Sequence, residues 1–278
     1  MRQITKNILS RYSKLDLENI LLNKDSKNQA ILSDLDGTIH RGLWPAVLHG
    51  ASYADLSILL SFYLKLPQLK KHVTCSNYIL REYRHMIHNG HQQGLIENVM
   101  TRYYCNNLLP GLDMRQLNKA ARWLPKLAYK DSKKSLTEMG KKSEITIISK
   151  TINPVMASYS NSLLKEGLKI NYKCNELITE GYEICGLQTP GILSASDKYW
   201  AGADCLKNKE RTAIFGNTSE DLAMHKAAKK LGIESIMIAV HPRDKQLEEE
   251  ADVIMNSWSE LYSEIMAPRR FELPISGS

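Results

Sequence analysis

The stretch ILSDLDGTIH, residues 31–40, runs from an apolar segment into two aspartates one residue apart and closes on Gly-Thr. Two carboxylates repel each other, so their place at the end of a buried strand needs a compensating partner. A hard divalent cation supplies one, because Mg²⁺ prefers oxygen ligands and pairs with one or two carboxylates plus a phosphate. An ionised aspartate can also attack phosphorus to give an aspartyl-phosphate, and a second acid two residues on can protonate the leaving oxygen and then activate water. Gly37 permits the tight turn. A plain turn after a strand reads almost as well from these residues alone, since Asp and Gly are common turn formers. An EF-hand loop does not: its twelfth position would be Pro45 where that loop needs a bidentate Glu.

Outward from this stretch, short apolar runs recur at 144–148 (EITII), 168–172 (LKINY), 211–215 (RTAIF) and 234–240 (ESIMIAV), and most precede a helix-like segment. That alternation predicts an α/β fold with a parallel sheet. After the second run, Asn153 is placed to cap a helix, Pro154 suits its first turn and Gly167 its end, with Val155, Tyr159 and Leu163 on one face. A second helix is expected over 219–231, where Ala223, Ala227 and Leu231 repeat the spacing before Gly232. At the N-terminus, Ile4, Ile8, Tyr12 and Leu15 suit one face of a helix.

More than a hundred residues separate the first two runs, too many for a structureless loop. Residues 44–107, rich in helix formers and Tyr, predict a small helical insertion, and MRQLNKAARWLPKLAYK (114–130) a helix returning to the core. The domain plan is therefore a core of 1–43 and 108–278 with a cap over 44–107.

Composition narrows the classes. At 278 residues, 43% hydrophobic and 24% charged, the chain has the profile of a folded globular protein. The formal charge of +7 fits phosphate-bearing partners or simply a solvated basic surface. The basic clusters PQLKKH, KDSKK, GKK and AAKKLG lack aromatic interleaving, so a nucleic-acid groove is not expected. Five cysteines form no CxxC pair, which argues against a zinc site or a complete disulfide framework and for a reducing, cytoplasmic setting. No stretch reaches the roughly 18 apolar residues of a membrane span, and no apolar signal segment opens the chain.

In parallel α/β sheets, functional groups gather beyond the carboxyl ends of the strands. Asp34, Asp36 and Thr38 follow the first run, Ser149 ends the second, Lys198 precedes the fourth, and Asn217, Glu220 and Asp221 follow the fourth in GNTSED. Lys150 is a second lysine candidate, but alternation along the strand turns it away from Ser149. His225, one turn past Asp221, reads as a helix-surface histidine, and Arg81, Arg84, His85 and His88 lie where cap specificity residues would sit.

Together, AILSDLDGT, EITIISKT, SDKYWAGADCL and AIFGNTSEDLAMHKAA resemble, in order, the four motifs of the haloacid dehalogenase (HAD) superfamily, in its phosphoserine-phosphatase-like branch. The resemblance spans about residues 28–265, and CNELITEGYEICG resembles that branch's small strand pair. It implies a Rossmann-like parallel sheet with helices on both faces, plus a helical C1-type cap over 44–107. It implies Asp34 as nucleophile and Asp36 as general acid/base, with Thr38, Ser149 and Lys198 holding the phosphate. Mg²⁺ would be held by Asp34, Asp36, Asp221 and Asn217. The implied activity is Mg-dependent phosphomonoester hydrolysis of a small phosphorylated metabolite, with no membrane role. A low-turnover binding or scaffold protein of the same fold and a phosphotransferase or mutase stay open beside it. The departure from the pattern is Asn217, where the fourth motif's first residue is usually an acid; Glu220 is placed to compensate.

Overall fold

The computed structural model describes residues 1–25, 27–40, 81, 99 and 101–266. All but a few residues of the expected cap therefore lie outside the description, including Arg84, His85 and His88. Arg81 sits in a helical turn, exposed.

Eight strands form one sheet in the order β1-β2-β10-β9-β8-β3-β4-β5. Its centre is parallel: β3 (Gln29–Ser33) lies between β8 (Arg211–Gly216) and β4 (Glu144–Ile152), with β5 (Asn171–Asn175) outside β4. On the other side β9 (Glu234–Val240) and β10 (Val253–Met255) continue the parallel set. Side chains alternate between two cores, as both-face burial of a parallel sheet requires. Ile31, Ile145 and Ile147 join a cluster with Leu117, Leu136, Val155 and Tyr159; Leu32, Ile148 and Ile214 join another with Ala201, Leu222 and Met224.

The helices of the first layer are α1 (Lys14–Leu21), α2 (Met114–Ala121), α3 (Ser132–Gly140) and α4 (Asn153–Lys165). The second layer holds α5 (Ala195–Cys205), α6 (Leu222–Lys230) and α7 (Lys245–Glu250). The α/β sheet with helices on both faces is thus as expected. β6 (Leu177–Glu180) and β7 (Glu183–Leu187) form a separate hairpin at the stretch that resembled a small strand pair.

Some local expectations fail for identifiable reasons. The N-terminal segment is a hairpin, β1 (Arg2–Thr5) and β2 (Ile8–Ser10), because β2 pairs antiparallel with β10 and buries Ile8 there; the helix begins only after Ser13, whose hydroxyl caps it. Helical spacing of apolar residues yields to this long-range pairing. Asn153 opens α4 without capping it; its amide donates to Glu176 instead. β4 runs three residues past Ser149, and Leu231 is half exposed just beyond α6. His225 is buried, 4% exposed, so the helix-surface reading is wrong: α6 lies in the second layer with little free face. Among the described residues Cys105, Cys174, Cys185 and Cys205 are free thiols, and no helix is long and apolar enough to cross a membrane.

Candidate active site

β3 is the point where the strand order reverses: the next strands run outward through β4 and β5 on one side and through β8 and β9 on the other. A crevice opens at such a reversal, beyond the carboxyl ends. Asp34 stands there, its N–H donating to the Phe215 carbonyl at 2.9 Å, so the last rung of the β3–β8 ladder fixes its backbone. Asp34 and Asp36 are 5% and 7% exposed.

Lys198 meets Asp34 from α5. Ser194 and Asp197 form a capping box that starts this helix, Asp197 accepting from the N–H groups of Leu193 and Ser194. The box sets Lys198 in the first turn, where the helix dipole disfavours a cation and carboxylates must offset it. Lys198 Nζ lies 3.0 Å from Asp34 Oδ1 and 2.6 Å from Asp221 Oδ1. Burial alone would push this ammonium's pKa down; the Asp221 and Asp34 charges, with Glu220 behind them, outweigh it and hold it above the ordinary lysine range.

Asp221 has both oxygens engaged. Oδ1 takes Lys198, and Oδ2 accepts from the N–H groups of Asn217 (2.9 Å) and Thr218 (3.1 Å) in a second capping box, leading into α6. Gly216 makes this possible: a Cβ there would lie 2.3 Å from the Cβ of Asp221. Asn217, 1% exposed, places its side chain against Gly37, whose φ of +78° and missing Cβ open the space; a Cβ would meet Asn217 Nδ2 at 2.1 Å and Arg243 Nη2 at 2.9 Å. The Arg243 N–H donates to the Asn217 carbonyl at 2.9 Å, and Asn217 Nδ2 has no hydrogen-bond partner among the described residues.

Two features were not anticipated. His40, fully buried, sets Nε2 2.7 Å from Asp36 Oδ1 and stacks on Tyr159 at 5.4 Å. Burial, with the Arg243 charge, pushes its pKa down to about 4, so a neutral imidazole donates Nε2–H to the carboxylate. Its place four residues after Asp36 was the available signal. Lys150, expected to point away, is 5% exposed and forms an ion pair with Glu220. Glu220 is thus committed to a lysine.

The remaining candidates are buried near the same strand ends. Ser149 Oγ accepts from the Thr151 N–H at 3.3 Å. The Thr38 hydroxyl is buried with no hydrogen-bond partner among the described residues, while its carbonyl accepts from Trp258 Nε1 at 2.8 Å, tying the turn to an indole stacked on Phe215.

No protein-family model and no curated protein sequence matches this chain. Solved structures do. Cytosolic 5'-nucleotidase IIIB, solved bound to cytidine, superposes with a TM-score of 0.60 at 13% identity, covering 91% of this chain and 89% of its own. A HAD family hydrolase from Salmonella enterica serovar Typhi gives 0.59 at 15%, covering 94% and 82%. The chain has the HAD fold. A phosphoserine phosphatase solved as a phospho-aspartyl intermediate analogue adds 0.55 at 16%, covering 86% of this chain and 99% of its own. Identities this low carry the HAD architecture and nothing finer.

Proposed function

We propose that this protein is a Mg²⁺-assisted phosphomonoesterase acting on a small phosphorylated metabolite. The observation that carries the reading is the buried chain of contacts Asp34–Lys198–Asp221 at the strand-order reversal, with Asp36 two residues on. Asp34 attacks phosphorus; the ester P–O bond breaks and Asp36, entering this step as the acid with its proton on Oδ2, away from His40, gives that proton to the departing oxygen. Asp36 then takes a proton from water as that water attacks the aspartyl-phosphate, freeing orthophosphate and restoring Asp34. Lys198 offsets charge on the phosphoryl oxygens, with Ser149 and Thr38 as further donors. His40 holds Asp36 in orientation through its N–H.

The residues suit a divalent cation on charge: among the described buried side chains, Asp34, Asp36 and Asp221 with half-buried Glu220 outnumber the Lys198 and Lys150 ammoniums. No three His, Cys, Asp or Glu side chains converge at metal spacing among the described residues. The cation would therefore be held by the Asp34 carboxylate, the Asp36 carbonyl and the Asn217 amide, while Asp221 positions Lys198. Such an ion supplies Lewis-acid stabilisation of charge on the phosphoryl group.

The test is orthophosphate release from a panel of phosphomonoesters, with Mg²⁺ and with EDTA, by wild type and Asp34→Asn. Metal-dependent release that Asp34→Asn abolishes supports the reading. Release that survives Asp34→Asn overturns it.

A further inference from the structure

Lys150 and Glu220 carry an inference that rests on the phosphatase reading and deepens it. Leu32 and Ile148 project into the same core, with Ala201 and Leu222. Beyond Leu32 the strand ends and Asp34 meets Lys198 of α5, while beyond Ile148 the ammonium of Lys150 meets Glu220, so both lysines stand at the same strand ends. Glu220 immediately precedes Asp221, and its charge is one of those that hold Lys198 protonated. One carboxylate thus serves both lysines.

The pair is unequal. The Lys150 side chain is 5% exposed and that of Glu220 17%, on a single turn of 3-10 helix (Ser219–Asp221). Burying an ammonium is costly without an anion beside it. Glu220 is the more exposed partner although its Oε2 is itself buried, so a phosphoryl group that takes its place at Lys150 exchanges one anion for another. An incoming phosphate dianion must also be placed next to the Asp34 carboxylate, and Lys198 already serves two carboxylates.

We propose that Lys150 is a second phosphate-binding cation, latched by Glu220 until a phosphoryl group displaces that carboxylate. Lys150 touches substrate; Glu220 acts through it.

The experiment is calorimetric titration of the full-length protein, with Mg²⁺ present, with orthophosphate as the probe. Four variants are compared with wild type: Lys150→Met, Lys150→Arg, Glu220→Gln and the Lys150→Met/Glu220→Gln double, each checked for a cooperative melt. Loss of a charged hydrogen bond predicts that Lys150→Met weakens binding by roughly tenfold to a hundredfold. Lys150→Arg restores most of it. Glu220→Gln tightens binding because the competitor is gone, and the double variant behaves as Lys150→Met alone. Unchanged affinity in folded Lys150→Met overturns the assignment; weakening by Glu220→Gln as large as that by Lys150→Met overturns the latch. Turnover separates the two levels. A wild type that binds orthophosphate with the predicted variant pattern yet hydrolyses no ester sinks the phosphatase reading and leaves the cation site standing. With turnover, Lys150→Met raises KM more than it lowers kcat. A wild type that binds no orthophosphate defeats the cation site alone, since turnover decides the phosphatase reading.

Discussion

Adding one methyl group at Gly216 should disable the site from behind. A Cβ there would lie 2.3 Å from Asp221 Cβ and 2.6 Å from Cγ and Oδ2, where carbon contacts normally settle at about 3.5–4.0 Å. Asp221 must retreat by about 1 Å, yet it is fully buried and holds two backbone N–H groups and Lys198. Overpacking of this kind costs about 1–3 kcal/mol, and losing a capping interaction about 1 kcal/mol more. At about 2–4 °C per kcal/mol for a chain near this size, Gly216→Ala should lower the melting temperature by roughly 5–15 °C. The ammonium that faces Asp34 moves with Asp221, and a misplacement of about 1 Å can cost about 10²-fold in rate. Gly167→Ala is the control: nothing lies within 4 Å of its Cβ, and its φ of +85° confines the effect to backbone strain at the end of α4. Thermal melts and kcat, measured side by side, read both consequences. If Gly216→Ala melts within about 2 °C of wild type and releases phosphate at the wild-type rate, the packing argument and the role of Asp221 fall together.

Three further outcomes follow from the same geometry. Asp36→Asn should slow turnover by about 10²–10⁴-fold with the fold retained, as steady-state kinetics and a melt will check; wild-type turnover in a folded variant would remove Asp36 from the chemistry. Burial holds the His40 and His225 imidazoles neutral, down to about 4 against an ordinary 6.5, with the Arg243 and Lys229 charges respectively adding to the effect. Both take up protons on unfolding, so their contribution is intact above about pH 6.5 and is lost as pH falls towards 4, by up to about 3 kcal/mol each; urea midpoints from pH 7 to 4 should show His225→Leu removing about half of that slope. Asn217→Asp should lower the Mg²⁺ concentration needed for half-maximal turnover, since a carboxylate attracts a cation more strongly than an amide at the same distance; superimposable titrations would place Asn217 away from the ion.

The strands were legible because a parallel sheet buried on both faces writes itself as apolar runs, and β3, β4, β8 and β9 each cover most of the run that predicted them. The run at 168–172 was displaced, to Asn171–Asn175, since β5 borders only β4 and takes its register from that neighbour. The N-terminal hairpin was illegible for a different reason: its partner β10 lies more than two hundred residues away, and no local spacing reports that pairing. His225 fails similarly. Its helix is flanked by lysines that suggest a free face, while Leu222, Met224 and Ala228 pack it into the second layer.

Within the site, order along the chain identified which residues gather but not which atom meets which. Alternation from Ser149 turns Lys150 away from that hydroxyl, but it does not report Glu220, which reaches Lys150 from the loop after β8. The same correction applies to the acids after β8. The resemblance makes Asp221 a metal ligand and leaves Glu220 to compensate for Asn217; in the structure Gly216 lets Asp221 fold back onto the Asn217 and Thr218 amides, leaving one oxygen for Lys198, and Lys150 takes Glu220. Each acid of that loop is thereby tied to a lysine of a different element, α5 or β4. The neutral Asn217 sets its side chain against the DLDG turn, with an amide nitrogen that has no partner among the described residues. Asn217, where the resemblance expects an acid, thus stands beside two acids that are each paired with a lysine.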